Sequence, residues 1–489
     1  MRLTYIANAL SIVLGYLNLA LIFPIVVALI FHDYKSILPF IVTGLIAWIL
    51  SIILKYCVKG TSELENMNDI KKAEALFIVT VSWIMFAIIV AIPYLFYGLG
   101  PVDALFESVS GITTTGATIL TSYEYPQAFF FWRSFVQWLG GLGIIVLFIA
   151  ILPQFAVAGR QMFFAEAPGP TEDKLTPRIR NTASALWKIY LLLTVICMLL
   201  LILAGMNPFD AVCNSMSTLA AGGFSPNSLS TMGYNSNLIT WIMLIFMFFA
   251  GTSFNLLYNV IKKRNVSLFF KSEEFKLYLF MVLLMSGLIT LALVINSGYS
   301  VFQGITHSLY QVISISTSTG SASVDFVQWD LTSKILLFIV MFMGSCASSA
   351  GGGIKMTRWL LLFRALKAEL VRILHPNAVL NVKIDNTNIS SDILRQIVIF
   401  IIYYFIIFAI GAIVIAIIEQ SSIIGLAGSI TALGNIGPGF DPVTGPMGGF
   451  SSLHIVSKIL MIVWMLVGRL EIIPFVVLLQ PDFWSFKEK

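Results

Sequence analysis

Long apolar runs separated by short polar segments set the pattern of this chain. A membrane-crossing helix needs about 20 mostly apolar residues. Runs of that kind lie near 5–31, 37–58, 75–97, 129–152, 184–205, 238–261, 276–295, 334–363, 393–418 and 454–480, which predicts ten spans. The first run is too long for a signal peptide. Its only early charge is Arg2 and no small-residue cleavage site precedes His32, so it reads as a retained helix.

Composition agrees and excludes much else. Of 489 residues, 58% are hydrophobic and 11% charged, and the mean hydropathy is +0.92. Soluble domains carry about 25% charged residues, and a soluble fold of this length has too much surface to hide so much apolar area. A soluble enzyme, a disordered protein and a nucleic-acid-binding domain are all poor readings, and the net charge of +5 is no nucleic-acid footprint. Cys57, Cys197, Cys213 and Cys346 form no CxxC pair, so neither disulfides nor zinc are implied, and the four histidines are scattered.

The placement of charge fixes an expected orientation. With the first helix starting inside, the internal segments hold Lys55, Lys59, Lys71 and Lys72, then Arg160, Lys174, Arg178, Arg180 and Lys188. Lys262, Lys263, Arg264, Lys271 and Lys276 follow, then a run from Lys355 to Arg395, and the tail ends in Lys487 and Lys489. The external segments hold Lys35, Arg133, Lys334 and Lys458, and 206–237 has no Lys or Arg. This is a positive-inside pattern with both termini cytoplasmic.

Four external connections, 98–128, 206–237, 296–333 and 419–453, share one design. Each opens with an apolar piece too short to span and then reaches a cluster of small residues. The clusters are Thr113–Thr118, Ala220–Ser225, Thr317–Ala322 and Leu433–Gly439, recurring roughly every hundred residues. Internal repeats are typical of transport folds. Non-helical backbone at membrane depth is tolerated only where protein buries it or water lines it. Glycine permits positive φ and close backbone approach. Four extended strands around one axis present rings of carbonyl oxygens that replace the water around a cation, and each short helix aims its partly negative C-terminal end at the pore. One such cluster reads most simply as a surface loop; four at equivalent places argue for a pore.

These residues resemble a known family. Phe106-Glu107-Ser108-Val109-Ser110-Gly111-Ile112-Thr113-Thr114-Thr115-Gly116-Ala117, Phe209-Asp210-Ala211 through Gly222-Gly223-Phe224-Ser225, Ser318-Thr319-Gly320 and Gly434-Asn435-Ile436-Gly437-Pro438-Gly439 look like the pore segments of the Trk/Ktr/HKT superfamily, TrkH type. Ala350-Gly351-Gly352-Gly353-Ile354-Lys355 and Gly468-Arg469-Leu470-Glu471 complete the resemblance, which covers almost the whole chain. It implies an all-α polytopic membrane protein with four M1–P–M2 potassium-channel-like repeats in one chain, preceded by two extra transmembrane helices. The expected divisions are a helix pair at 1–70 and repeats at 71–182, 183–272, 273–390 and 391–489. The filter glycines carried over are Gly116, Gly223, Gly320 and Gly437, each with its preceding residue, Thr115, Gly222, Thr319 and Ile436. Thr114, Ala221, Ser318 and Asn435 complete the expected ion-binding set. Ser321 stands where the family usually has Phe, which bears on packing more than on ion choice.

Two gate elements are expected. Gly351, Gly352 and Gly353 should break the eighth span, at roughly 1 kcal/mol each, with Ser345, Ser348 and Ser349 meeting the freed backbone groups. This is either a packing kink or, as the resemblance implies, an intramembrane loop below the filter. Lys355 either brings charge to the ion path or snorkels to the interface. Arg469 lies about 24 Å along the last span at 1.5 Å per residue, where an arginine costs about 2.5–3.5 kcal/mol. It either pairs with an interior acid from another helix or, as in the resembling family, faces the pore. Asp210 is expected to cap its short helix and Glu107 to orient the first pore strand. Asp325, Asp330 and Asp441 are either loop charges or attractors of cations to a vestibule.

The function implied is potassium uptake across the cytoplasmic inner membrane, with potassium as the transported ion and no organic cofactor. Sodium- or proton-coupled symport is the alternative, weakened by the scarcity of Asp, Glu and His in the spans. A membrane enzyme would want converging His, Asp or Ser–His groups, and none converges. Some sodium-permeable relatives carry Ser at the first filter position, which here is Gly116, so the resemblance favours potassium. No nucleotide-binding motif is present, so the resemblance implies a cytosolic nucleotide-binding ring of TrkA type as partner, and a homodimer of pore subunits in the bilayer. The basic segments 154–188, 262–276 and 355–395 form a docking face, or simply obey the positive-inside rule.

Overall fold

The computed structural model describes residues 3–56, 72–143, 179–377 and 380–484. The expected charges Lys59, Lys71, Arg160, Lys174, Arg178, Lys487 and Lys489, the docking segment up to 178 and the fourth span beyond 143 lie outside them. Among the described residues the regular structure is helical except for a hairpin of two two-residue strands, Lys383–Ile384 with Thr387–Asn388.

A hairpin of two long helices, Leu3–Ile30 and Ile37–Tyr56, comes first. Ser11 Oγ donates to the Ser51 carbonyl at 2.9 Å and Ser51 Oγ to that of Ser11 at 2.8 Å. This reciprocal pair satisfies two hydroxyls that lipid could not. The hairpin packs on the first repeat through the helices Lys72–Phe96 and Gln127–Gly141.

Four units follow. Their leading helices are Lys72–Phe96, Ile179–Leu203, Glu273–Asn296 and Ser391–Glu419. Their pore helices are Pro101–Ile112, Pro208–Leu219, Val301–Ser316 and Ser422–Leu433. The pore helices start where the sequence supplies caps: Asn207, Ser300 and Ser421 accept backbone N–H groups, and proline opens the first two. The trailing helices begin at Gln127, Asn237, Leu331 and Ile455. The first, second and fourth trailing helices pack on their own pore helix and on the next one, and the fourth reaches the pore helix of the first repeat, which closes a ring.

Six described helices are long and apolar enough to span a membrane, and a seventh qualifies only as a bent pair. The expectation of ten continuous spans is therefore corrected in the trailing helices. The second, expected as one run at 238–261, breaks between Ala250 and Phe254 and turns by 99°. The third stops at Met341 and resumes at Met356, around the predicted glycine break. The fourth, expected to continue to residue 480, ends at Arg469, and a short helix restarts at Ile473. Between them Glu471 and Ile472 both take positive φ, 57° and 62°, a costly conformation for a β-branched residue.

Candidate ion pathway

All four pore helices end in one way. Thr114 N–H reaches the Gly111 carbonyl and Thr115 N–H that of Ser110. Ala221 and Gly222 bond likewise to Thr218 and Ser217, Ser318 and Thr319 to Ile315 and Ser314, and Asn435 and Ile436 to Ala432 and Thr431. This is the Schellman pattern, with its left-handed residue just past the helix. That residue is Thr114, Ala221, Ser318 or Asn435, at φ 52–57°. Two positions later Gly116, Gly223, Gly320 and Gly437 again take positive φ, 74–95°. The twelve residues expected to hold the ion thus form four copies of one backbone turn.

The copies converge. A methyl built on Gly116 would run into the carbonyl oxygen of Gly222, one on Gly223 into that of Thr319, and one on Gly320 into that of Ile436. One on Gly437 would lie 2.7 Å from the carbonyl oxygen of Thr115, back in the first strand. The order one–two–three–four–one is a closed ring, and the four glycines line a single cavity. Glycine is required here twice over, by backbone conformation and by the approach of the next strand's carbonyl.

Side chains behind the ring fix it. Thr113 and Thr115 share a hydroxyl bond at 2.7 Å, as Thr317 and Thr319 do at 2.8 Å. Asn435 Nδ2 donates to Thr115 Oγ1 at 3.0 Å and to the Met465 carbonyl at 2.9 Å, which ties the fourth strand to the first. Glu107 accepts from Ile119 N–H at 3.0 Å, Thr118 Oγ1 at 3.0 Å and Arg133 Nε at 2.7 Å, so it orients the first strand as expected. Ser321 sits beside the filter, bonded to Thr231 Oγ1 at 2.8 Å and Tyr310 OH at 2.9 Å.

The expected gate residues gather at the pore-helix ends. Gly352 N–H donates to Ser318 Oγ at 2.6 Å. Methyls on Gly351 and Gly352 would strike the carbonyls of Thr317 and Gly434, the C-caps of two pore helices. Gly353 has φ 71°. Lys355 turns into the loop, donating to the Gly351 carbonyl, rather than snorkelling away. Arg469 donates to the carbonyls of Ala350, at 3.1 Å, and of Gly140 and Gly141. One guanidinium thereby joins the ends of the first and fourth trailing helices to the loop of the third.

The loop's own bonding corrects the expectation for its serines. Ser349 Oγ does donate to the Cys346 carbonyl, yet most backbone groups are met elsewhere. Cys346 N–H donates to the Gly251 carbonyl at 2.9 Å, Ala350 N–H to that of Ala250 at 3.2 Å, and Phe254 N–H to that of Ser348 at 3.0 Å. The loop is docked in the break of the second trailing helix, each gap satisfying the other's backbone.

Other acids have local duties. Asp210 does not cap its helix; Asn207 does, and Asp210 accepts from Tyr234 OH at 3.1 Å. Asp325 accepts Val327 N–H, Asp330 Ser333 N–H, and Asp441 the N–H groups of Val443 and Thr444. Burial pushes the Asp330 carboxyl up, but bonds from Ser333, Asn296 and Ser297 outweigh it and hold the group below the usual range. From sequence, Arg133 and Lys458 count only as external charges, whereas both lie buried in trailing helices, and neither Gln137 nor Glu274 is singled out. Lys458 pairs with Asp103 at 2.7 Å. Glu274 accepts Ala347 N–H at 2.6 Å and Thr357 N–H at 3.1 Å, so it pins both ends of the loop. For Arg133 and Gln137 the available signal was a charged or amide side chain inside an otherwise apolar stretch; Glu274, among Lys271, Glu273 and Lys276, carried none.

A ring of four such turns at the ends of four pore helices, in a multi-pass helical chain, defines a membrane transport protein of the potassium-channel-like class. Residues 45–485 match the TrkH family, described as cation transport protein. The chain is 37% identical over 426 residues to the Trk system potassium uptake protein TrkH of Escherichia coli (strain K12), covering 86% of this chain and 88% of that one. It is 34% identical over 498 residues to the protein of the same name from Halomonas elongata, covering 99% and 100%. The crystal structure of the potassium transporter TrkH from Vibrio parahaemolyticus matches at a TM-score of 0.87 and 31% identity, covering 99% of this chain and 100% of that one. The chain belongs to the TrkH family, and it is a transporter rather than an enzyme.

Proposed function

We propose that this protein takes up potassium across the cytoplasmic membrane, both termini inside, through the ring of main-chain carbonyls at Thr115, Gly222, Thr319 and Ile436. The observation that carries the reading is the cyclic approach of each filter glycine to the next strand's carbonyl. Carbonyl dipoles replace the hydration of a hard monovalent cation. The names of the relatives, potassium uptake proteins of Trk systems, point the same way. The membrane potential, about 2.3 kcal/mol per charge per 100 mV, is ample to drive it.

The loop 342–355 and Arg469 act as the gate. The loop lies against the C-cap carbonyls of two pore helices, and the arginine adds a fixed positive charge that opposes a cation leaving the ring. The divisions between repeats fall at 272–273 and 390–391, just before the leading helices Glu273–Asn296 and Ser391–Glu419, whereas the expected 182–183 lies inside the helix Ile179–Leu203, so that boundary moves ahead of Ile179. A second copy of the chain and a cytosolic nucleotide-binding ring of TrkA type are its partners, the ring docking on the basic faces 262–276 and 355–395 and regulating the loop.

Rubidium uptake into proteoliposomes, with potassium, sodium and proton gradients varied separately, tests the reading. Uptake that follows the potential alone supports conduction. Uptake that requires an inward sodium or proton gradient replaces it with symport, and no rubidium uptake under any gradient sinks it.

A further inference from the structure

Three strands of the ring carry a side chain just before the filter glycine: Thr115, Thr319 and Ile436. The second has Gly222. Its φ is not positive, so any residue suits the backbone, and space decides. A methyl there would meet the carboxamide of Gln137, 2.6 Å from Oε1 and 2.8 Å from Nε2. Gln137, on the trailing helix Gln127–Gly141, is fully buried.

The carboxamide is held from three sides by the second repeat. Ser217 Oγ, on the pore helix, donates to Oε1 at 2.8 Å, and Phe224 N–H, just past the filter glycine, donates to it at 3.2 Å. Those two donors fix the amide's orientation, and Nε2 therefore faces the Gly222 carbonyl and donates to it at 2.6 Å. That carbonyl is the one against which Gly116 closes the ring. The paired hydroxyls that brace the first and third strands, Thr113 with Thr115 and Thr317 with Thr319, are replaced in the second by Ala220 and Gly222.

We infer that Gln137 is a positioning and selectivity-determining residue: borrowed from the neighbouring helix, its amide takes the place of the missing second-strand side chain and sets the direction and strength of the Gly222 carbonyl as a cation ligand. A carbonyl has two lone pairs. With one committed to the amide, the Gly222 oxygen is oriented by the protein before an ion arrives and shares its electron density, so one quarter of the ring binds differently from the rest. The inference rests on the ion-conducting reading of the ring.

The test measures potassium-to-sodium permeability from reversal potentials in mixed salts, with rubidium uptake as the flux readout. Gln137→Met keeps the length and removes the bonds. It is expected to fold and to lower the ratio about tenfold, the effect of one ordinary hydrogen bond; a folded, conducting Gln137→Met with the wild-type ratio overturns the inference. Gly222→Thr is expected to abolish uptake, because the new side chain collides with the amide, and Gln137→Ala/Gly222→Thr to restore it, because the strand then carries its own side chain. Wild-type behaviour of Gly222→Thr alone, or no recovery in the double variant, also overturns it, so an unfolded Gln137→Met does not leave the matter open. A wild-type protein that passes no rubidium sinks the conducting reading itself; a conducting wild type with unaltered variants sinks only the role of Gln137.

Discussion

Arg133 Nε lies 2.7 Å from Glu107 Oε1, and both side chains are buried, at 1% and 0% exposure. Both residues belong to the first repeat, and the pair ties it to the second. Glu107 holds the first strand by Ile119 N–H, while Arg133 donates to the Ser225 carbonyl at 3.4 Å and lies 4.0 Å over the Phe224 ring, both past the second filter glycine. Removing one partner of a buried pair strands the other charge, at about 3–5 kcal/mol. Glu107→Gln is therefore expected to lower the thermal midpoint in detergent sharply. Glu107→Gln with Arg133→Met is expected to recover part of the loss, read by the same melting curves.

Gly116→Ser should weaken potassium-over-sodium selectivity. The new Cβ is aimed at the Gly222 carbonyl and the backbone is at φ 80°, so the strand must turn. The expected loss is about tenfold, on the order of 1.4 kcal/mol between the two ions. Reversal potentials check it, and an unchanged ratio tells against the filter assignment.

Arg469→Ala should raise rubidium uptake several-fold in liposomes without any partner. The substitution removes the fixed charge and unties Ala350 from Gly140 and Gly141. Uptake at or below the wild-type rate contradicts the gate.

Glu274→Ala should loosen the loop from its other end. Two part-buried N–H groups, of Ala347 and Thr357, lose their carboxylate acceptor, at about 1 kcal/mol each. Cys346 is buried within this loop. In a background where Cys57, Cys197 and Cys213 are Ser, a membrane-permeant thiol reagent should label it faster in the variant, and equal rates speak against the anchor.

Asp330→Ala should cost about 1 kcal/mol at neutral pH, the worth of a helix cap. The Asp330 carboxyl is held below its usual range when folded. Its stabilisation is then present above the unfolded value of about 3.9 and is lost as pH falls through the lower, folded value. The gap in melting temperature between wild type and variant should therefore narrow only in strong acid, which a pH series of melts reads directly.

What was legible in the sequence followed from lipid. The spans at 37–58, 276–295 and 393–418 agree with helices Ile37–Tyr56, Glu273–Asn296 and Ser391–Glu419 to within three residues, because hydrocarbon thickness dictates their length. The four turns proposed as the filter were legible because positive φ leaves glycine at Gly116, Gly223, Gly320 and Gly437. The breaks at 251–253 and 470–472 were hidden, since what satisfies the first comes from 346–350, a hundred residues away. Gln137 and Arg133 lay inside the run Phe129–Leu139, where one residue in an aromatic helix gives no hint that its partners are Gly222 and Glu107. Asp210 lost the cap to Asn207 because a cap belongs one residue before the first helical residue, and Pro208 sets that residue.

The contact of Gly437 with Thr115 joins two points more than three hundred residues apart. A ribosome making this chain has produced an open arc until its final hundred residues emerge. Any product truncated before the last repeat leaves that arc open and, on the proposed reading, has no closed set of cation ligands.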